Sequence, residues 1–178
     1  MTMTSFEPMT MTSFERFPPT LRRRYLAAAW IAFLIAFQAS CRTRDSDFAA
    51  LQRRGETAMG VNQYTSAHVF ESLPDGGRIV LQRQSDDSAG TARIRAHMST
   101  IAEQFRRGEF AIPGFVHAQG VPGTDVMASH RTRISYTADT LPRGGQVRIT
   151  TTDTAALAAV HEFLAFQRHE HHAAAHGP

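Results

Sequence analysis

The chain contains no lysine and only one cysteine, Cys41, among its 178 residues. A single thiol excludes an internal disulfide framework and any CxxC metal or redox pair. Without lysine, nineteen arginines are the whole basic complement, and four of them (Arg16, Arg22, Arg23, Arg24) precede the main apolar run. From Cys41 onward fifteen arginines face fourteen acidic residues. The basic balance therefore belongs to the leader, and a nucleic-acid partner is not expected. The main apolar run, Tyr25 to Phe37, has thirteen residues, short of the ~20 that cross a bilayer.

Catalytic signatures are missing too. His161-Glu162 would begin a zinc-protease motif, but the second histidine position holds Ala165. No G-x-S-x-G elbow occurs. Gly76-Gly77 and Gly144-Gly145 do not open helices in the manner of a phosphate loop.

What is present begins with a leader, 1–21, in which MTMTSFE occurs at Met1–Glu7 and again at Met9–Glu15. With no apolar periodicity it is expected to be disordered, and a translation start at Met9 or Met11 would account for the repeat. Residues 22–41 combine a basic patch, the short apolar run and small residues before Cys41, which is an export pattern. Ala39 and Ser40 resemble the small positions of a bacterial lipoprotein signal, with Cys41 as the lipidated residue; an uncleaved N-terminal anchor or ordinary cleavage are the alternatives. Each route places residues 42–178 on the periplasmic side. Residues 42–65 read as a tether with room for one short helix.

The folded part, 66–173, is organised by a turn that occurs twice, Leu73-Pro74-Asp75-Gly76-Gly77 and Leu141-Pro142-Arg143-Gly144-Gly145. Each lies between strands of period-two alternation and precedes a helix, the first starting at Asp86-Asp87-Ser88 and the second at Asp153. The first glycine of each is expected to take the left-handed conformation. The fold class is therefore α+β, two ββα units forming a four-stranded antiparallel sheet with two helices on one face. His97 and His161 are expected at corresponding places on those helices. Phe110–Gly123 reads as an apolar loop packed over one end of the sheet, followed by a helical turn near Asp125–His130. The end of the chain from His169 is expected to fray, and 174–178 to be disordered.

All nine histidines lie at or after His68. His68, His97, His117 and His161 fall within the fold, as does Met127, and imidazole with thioether suits copper, Cu(I) above all. These five are the candidate metal ligands. Neutral imidazoles would bind, so binding is expected to fail below about pH 6. A histidine bonded to a backbone carbonyl is the plainer role for each of them. The tail histidines His169, His171, His172 and His176 read as a solvated tract.

Met59-Gly60-x-x-Gln63, the Pro-Asp-Gly-Gly hairpin, Ile94-Arg95-x-His97, Pro113-x-x-x-His117, Gly144-Gly145-x-Val147-Arg148-Ile149 and Ala159-Val160-His161-Glu162-Phe163-Leu164 resemble a group of small, uncharacterised bacterial exported proteins and lipoproteins. Some similar sequences carry the label aspartate carbamoyltransferase, which is rejected here, because that enzyme needs two full α/β domains. The resemblance brings little function with it; the residues themselves lead to the expectation of an exported, lipid-anchored binding protein, with the membrane as a partner through its N-terminus and copper or another metal as its ligand. A small extracytoplasmic enzyme using His117 as general base, or a structural envelope protein, are the alternatives.

Overall fold

The computed structural model describes residues 45–173. The leader, the export signal, Cys41 and the 174–178 tail with His176 lie outside the described residues. Four strands form one antiparallel sheet: β1 (Ser66–Leu73), β2 (Gly76–Arg83), β3 (Ile134–Leu141) and β4 (Gly144–Thr151), in the order β1-β2-β4-β3. The helices are α1 (45–59), α2 (Ser88–Arg106), α3 (Ala111–His117), α4 (Thr124–Ser129) and α5 (Thr154–Glu170). Two 3-10 turns, Gln63–Thr65 and Arg131–Arg133, lead into β1 and β3.

The α+β class and the four-stranded antiparallel sheet follow the sequence pattern. Alternation in each strand puts one set of side chains toward the helices, including Phe70, Ile79, Leu81, Val147, Ile149 and Tyr136. Asp87 and Asp153 cap α2 and α5, each accepting from the backbone N–H three residues on, at Gly90 and Ala156. Ile94, Met98, Ile101 and Phe105 of α2, with Val160, Phe163 and Leu164 of α5, complete the core. Each fully buried aliphatic among them contributes about 1.5–3 kcal/mol.

An internal two-fold relation runs through these elements. Every strand and both 3-10 turns recur 68 residues later with the same length. The β2–β4 ladder maps onto itself under that shift: Gly76 faces Thr150, Gln82 faces Gly144, and Ile79–Val147 sits at the centre. The helices recur at a spacing of 66, set by their caps Asp87 and Asp153. Each helix lies on the other half's hairpin, α2 over β3 and β4, α5 over β1 and β2.

Both turns need their first glycine, for a reason of packing more than of conformation. A Cβ at Gly76 would strike the Ile149 carbonyl of β4, and one at Gly144 would strike the Leu81 carbonyl of β2. Gly76 has φ +143°, but in the second turn it is Arg143, at φ +57°, that takes the left-handed conformation, so the glycine expectation holds only for the first. Gly144→Ala should cost about 3 kcal/mol or more through main-chain displacement, read as a fall in the urea midpoint. An unchanged midpoint would show that the two central strands can part at no cost.

Three segments differ from expectation. Residues 45–59, read as a tether with room for one short helix, form a long one, and from Ser46 onward it is part of the compact unit, burying Leu51, Gln52 and Gly55. The Phe110–Gly123 loop contains α3, with Pro113 in its first turn, where the missing N–H has no helical partner to lose. The chain from His169 does not fray at once: α5 runs to Glu170 and His171 caps it, its N–H donating to the Gln167 carbonyl. Among the described residues no helix is long and apolar enough to cross a membrane.

Candidate functional site

A cavity of about 70 Å³ opens between the β1–β2 half of the sheet and helices α1, α2, α3 and α5. That is room for one or two water-sized groups. Its walls are mostly apolar, with Phe70, Leu81, Met98 and Phe105 among them, yet His68, His97, His171 and Gln63 also line it, with Met59 beside them.

Each imidazole arrives from a different element. His68 is on the helix-facing side of β1, opposite Leu81. His97 comes from α2, His117 ends α3, and His171 caps α5. His171 stands at the centre: its ring is stacked on His68 at 5.5 Å between centroids and perpendicular to His117 at 5.1 Å, and it touches Phe70 at 5.4 Å. The next residue, His172, is held at φ +49° and stacks on Phe48 of α1 at 4.4 Å.

Three of these rings carry a buried nitrogen with no partner among the described residues: His68 Nε2, His117 Nδ1 and His171 Nδ1; Gln63 Oε1 on the same wall is likewise unpartnered. Native proteins rarely leave such atoms unsatisfied. The tautomer of His117 is set by its neighbour, because its Nε2–H donates to Gln167 Oε1 at 2.9 Å. Its Nδ1 is therefore a bare lone pair, held in place by an outer hydrogen bond in the way metal-binding histidines are.

Burial keeps the cluster neutral. It lowers His68 to about 4, with His97 adding a further push, and His97 itself to about 4. Burial lowers His171 to about 3, helped by His68, His117 and His172. Burial also lowers His117, against an upward pull from the Gln167 bond and from Glu170, while Arg54 adds to the lowering. Protonation near pH 6, expected from the ordinary imidazole value, does not apply to these rings.

Of the five candidate ligands, His68 and His97 line this cavity, His117 touches the lining residue His171 without lining the cavity itself, and the other two do not line it. Met127 is fully buried in the core on α4 and does not line the cavity. Its counterpart 68 residues earlier is Met59, which does. His161 is spent on structure, its Nε2–H donating to the Leu73 and Gly76 carbonyls at 2.9 and 3.0 Å and so clamping the first hairpin turn. In the other half Arg95 clamps the second turn through the Leu141 and Gly144 carbonyls. His161 is therefore the mate of Arg95 and not of His97. His171 and Gln167 were missed by sequence reasoning. Among the described residues no group of three or more His, Cys, Asp or Glu converges as a ready-made metal site.

Compared with protein-family models, with curated proteins and with solved structures, the chain matches none of them.

Proposed function

We propose that this is an exported, membrane-tethered binding protein that captures a metal ion in the imidazole-lined cavity and performs no covalent chemistry. The tether in this reading is lipid on Cys41, and the folded unit works on the periplasmic side. One observation carries the binding part: His68 on β1, His117 on α3 and His171 at the cap of α5 each keep a buried nitrogen without a partner among the described residues, in rings that touch one another through His171. In a purely structural protein such nitrogens are bonded to buried water or to the chain, as His161 is to the Leu73 and Gly76 carbonyls. The enzymatic alternative has less support, since the residue orienting His117 is an amide and not a carboxylate.

Binding to the folded state alone raises stability by about 2.7 kcal/mol at a ligand concentration 100 times Kd. Thermal unfolding of the full chain against Cu(I), Cu(II), Zn(II) and Ni(II) should therefore show stabilisation by at least one ion. The effect should vanish in His171→Phe and persist in His161→Phe, which loses only the turn clamp. Equal stabilisation of both variants would place binding outside the cavity and refute the proposal.

A further inference from the structure

Where β3 begins and β4 ends, an open cleft of about 550 Å³ shares no lining residue with the histidine cavity. Its volume falls within the roughly 300–1,000 Å³ of small-molecule sites. Two guanidiniums, Arg106 and Arg133, line it together with the hydroxyls of Thr132, Ser135, Thr150 and Thr152. Arg106 ends α2, and its Nε–H donates to the Tyr136 carbonyl of β3 at 3.2 Å, which leaves both Nη groups without a partner among the described residues. It belongs to none of the ion pairs found there. The Arg133 side chain is 70% exposed and meets Asp153 only at 3.7 Å, while Asp153 is committed to the α5 cap and to His130. Asp75, the one acidic residue of the lining, is already paired with Arg148. Two cations therefore face the cleft with no free carboxylate opposite them.

The two-fold relation provides a built-in comparison. Under the 68-residue shift Thr151 corresponds to Arg83, and Arg133 to Thr65. In the first half Arg83 spends its guanidinium on its own chain: on Thr65 Oγ1 at 2.6 Å, on Ser66 Oγ at 3.2 Å and on the Asp87 carboxylate at 3.2 Å. That half thus satisfies its arginine from within, with hydroxyls and an oxyanion. In the second half Thr151 is too short to do the same, and its hydroxyl donates to the Arg133 carbonyl at 2.8 Å. The arginine has moved to position 133 and points its charge at solvent, beside hydroxyls that have no partner among the described residues.

Guanidinium forks match the oxygens of a phosphoryl group, and two of them match its double charge. Hydroxyls around them suit the remaining oxygens and a hydroxylated carrier. Beyond the reading of the histidine cavity and independently of it, we infer that this cleft binds the phosphoryl group of a small, hydroxylated phosphate monoester, with Arg106 and Arg133 taking the anion. The hydroxyls of Thr132, Ser135, Thr150 and Thr152 take its carrier.

The test is titration of the full-length protein at low salt with inorganic phosphate, glycerol 3-phosphate and glycerol, followed by the backbone amide resonances of Thr132, Ser135 and Thr150. Both phosphates should shift these amides to saturation, glycerol 3-phosphate at the lower concentration, and glycerol should shift none of them. Arg106→Gln and Arg133→Gln should each weaken binding roughly 10–100-fold, the loss expected of one charge-assisted contact, and Arg93→Gln, in the other half, should leave it unchanged. Glutamine at 106 keeps a donor for the Tyr136 carbonyl, and the exposed Arg133 supplies a second reading should the first variant unfold. No saturable shift with either phosphate, equal shifts with glycerol, or affinity unchanged in the double variant Arg106→Gln/Arg133→Gln would overturn the inference. Inorganic phosphate binding more tightly than glycerol 3-phosphate would overturn the monoester assignment. None of these outcomes depends on metal uptake by the cavity, which neither arginine lines.

Discussion

Lowering the pH from 7 to 4 should strip the metal-free domain of a large part of its stability. In the folded state His68 and His97 titrate at about 4 and His171 at about 3, whereas in the unfolded chain each returns to ~6.5. The folded values are depressed, so between those limits the unfolded state binds protons that the folded state refuses. Stability is therefore complete above ~6.5, declines as the pH drops toward 4, and levels off once the folded rings also protonate. Each unit of displacement is about 1.4 kcal/mol per ring before discounting for the solvent that half-buried rings still see. Against a total stability of ~5–15 kcal/mol, even a discounted sum over three rings is large. Glu170 and Arg54 face His117 with opposite signs, Glu170 pulling its pKa up and Arg54, the smaller influence, pulling it down. Urea midpoints at pH 7, 5.5 and 4 provide the measurement. A flat profile would mean that the rings are solvated and the cavity is not closed.

Replacing imidazoles by the aromatic rings of the opposite half should raise stability while removing binding. His68→Phe with His171→Phe copies the carbon rings of Tyr136 and Phe105, and the cavity of about 70 Å³ has room for the added carbon atoms. Each substitution removes a buried nitrogen without a partner, a burden of about 1–3 kcal/mol. The double variant should therefore have a higher urea midpoint at pH 7, a larger advantage at pH 5, and a shallower acid slope. A variant less stable than wild type at both pH values would show that the histidines are needed for packing. Such a result would remove the argument that they are held for a ligand.

The architecture was legible because its signals are local. The repeated Leu-Pro-x-Gly-Gly turn, the period-two strands and the aspartate caps give the order of β1, β2, α2, β3, β4 and α5 without any long-range information. The helix α1 was hidden because its buried side holds Gln52 and Gly55 as well as Leu51, which blurs an apolar stripe. The helix α3 was hidden by Pro113-Gly114, which reads as a loop until the proline is seen to occupy a first turn.

The cavity was half legible. His68, His97 and His117 were candidates by composition alone, but which histidines meet depends on how α5 lies over β1, and that is a tertiary fact. One error was avoidable. His97 and His161 share an apolar stripe on their helices, whereas the caps Asp87 and Asp153 put His161 in register with Arg95 and His171 with Phe105. That alignment moves His171 from a fraying tail to the cap of a core helix. The carbonyl bonds of His161 could not be read from sequence, although a histidine bonded to backbone was its plainer expected role. Met127 attracted attention as a thioether, and only the 68-residue shift shows that its counterpart Met59 is the one at the cavity wall.

The most direct test of the account follows the imidazole nitrogens themselves. Long-range proton–nitrogen spectra of the histidine rings, recorded on the full-length protein before and after one equivalent of the metal ion that stabilises it, should show Nδ1 of His117 unprotonated at pH 7 and the rings of His68, His117 and His171 then shifted together by the ion, with His161 unmoved. Resonances of His117 and His171 that stay in place while His169, His172 or His176 respond would contradict it.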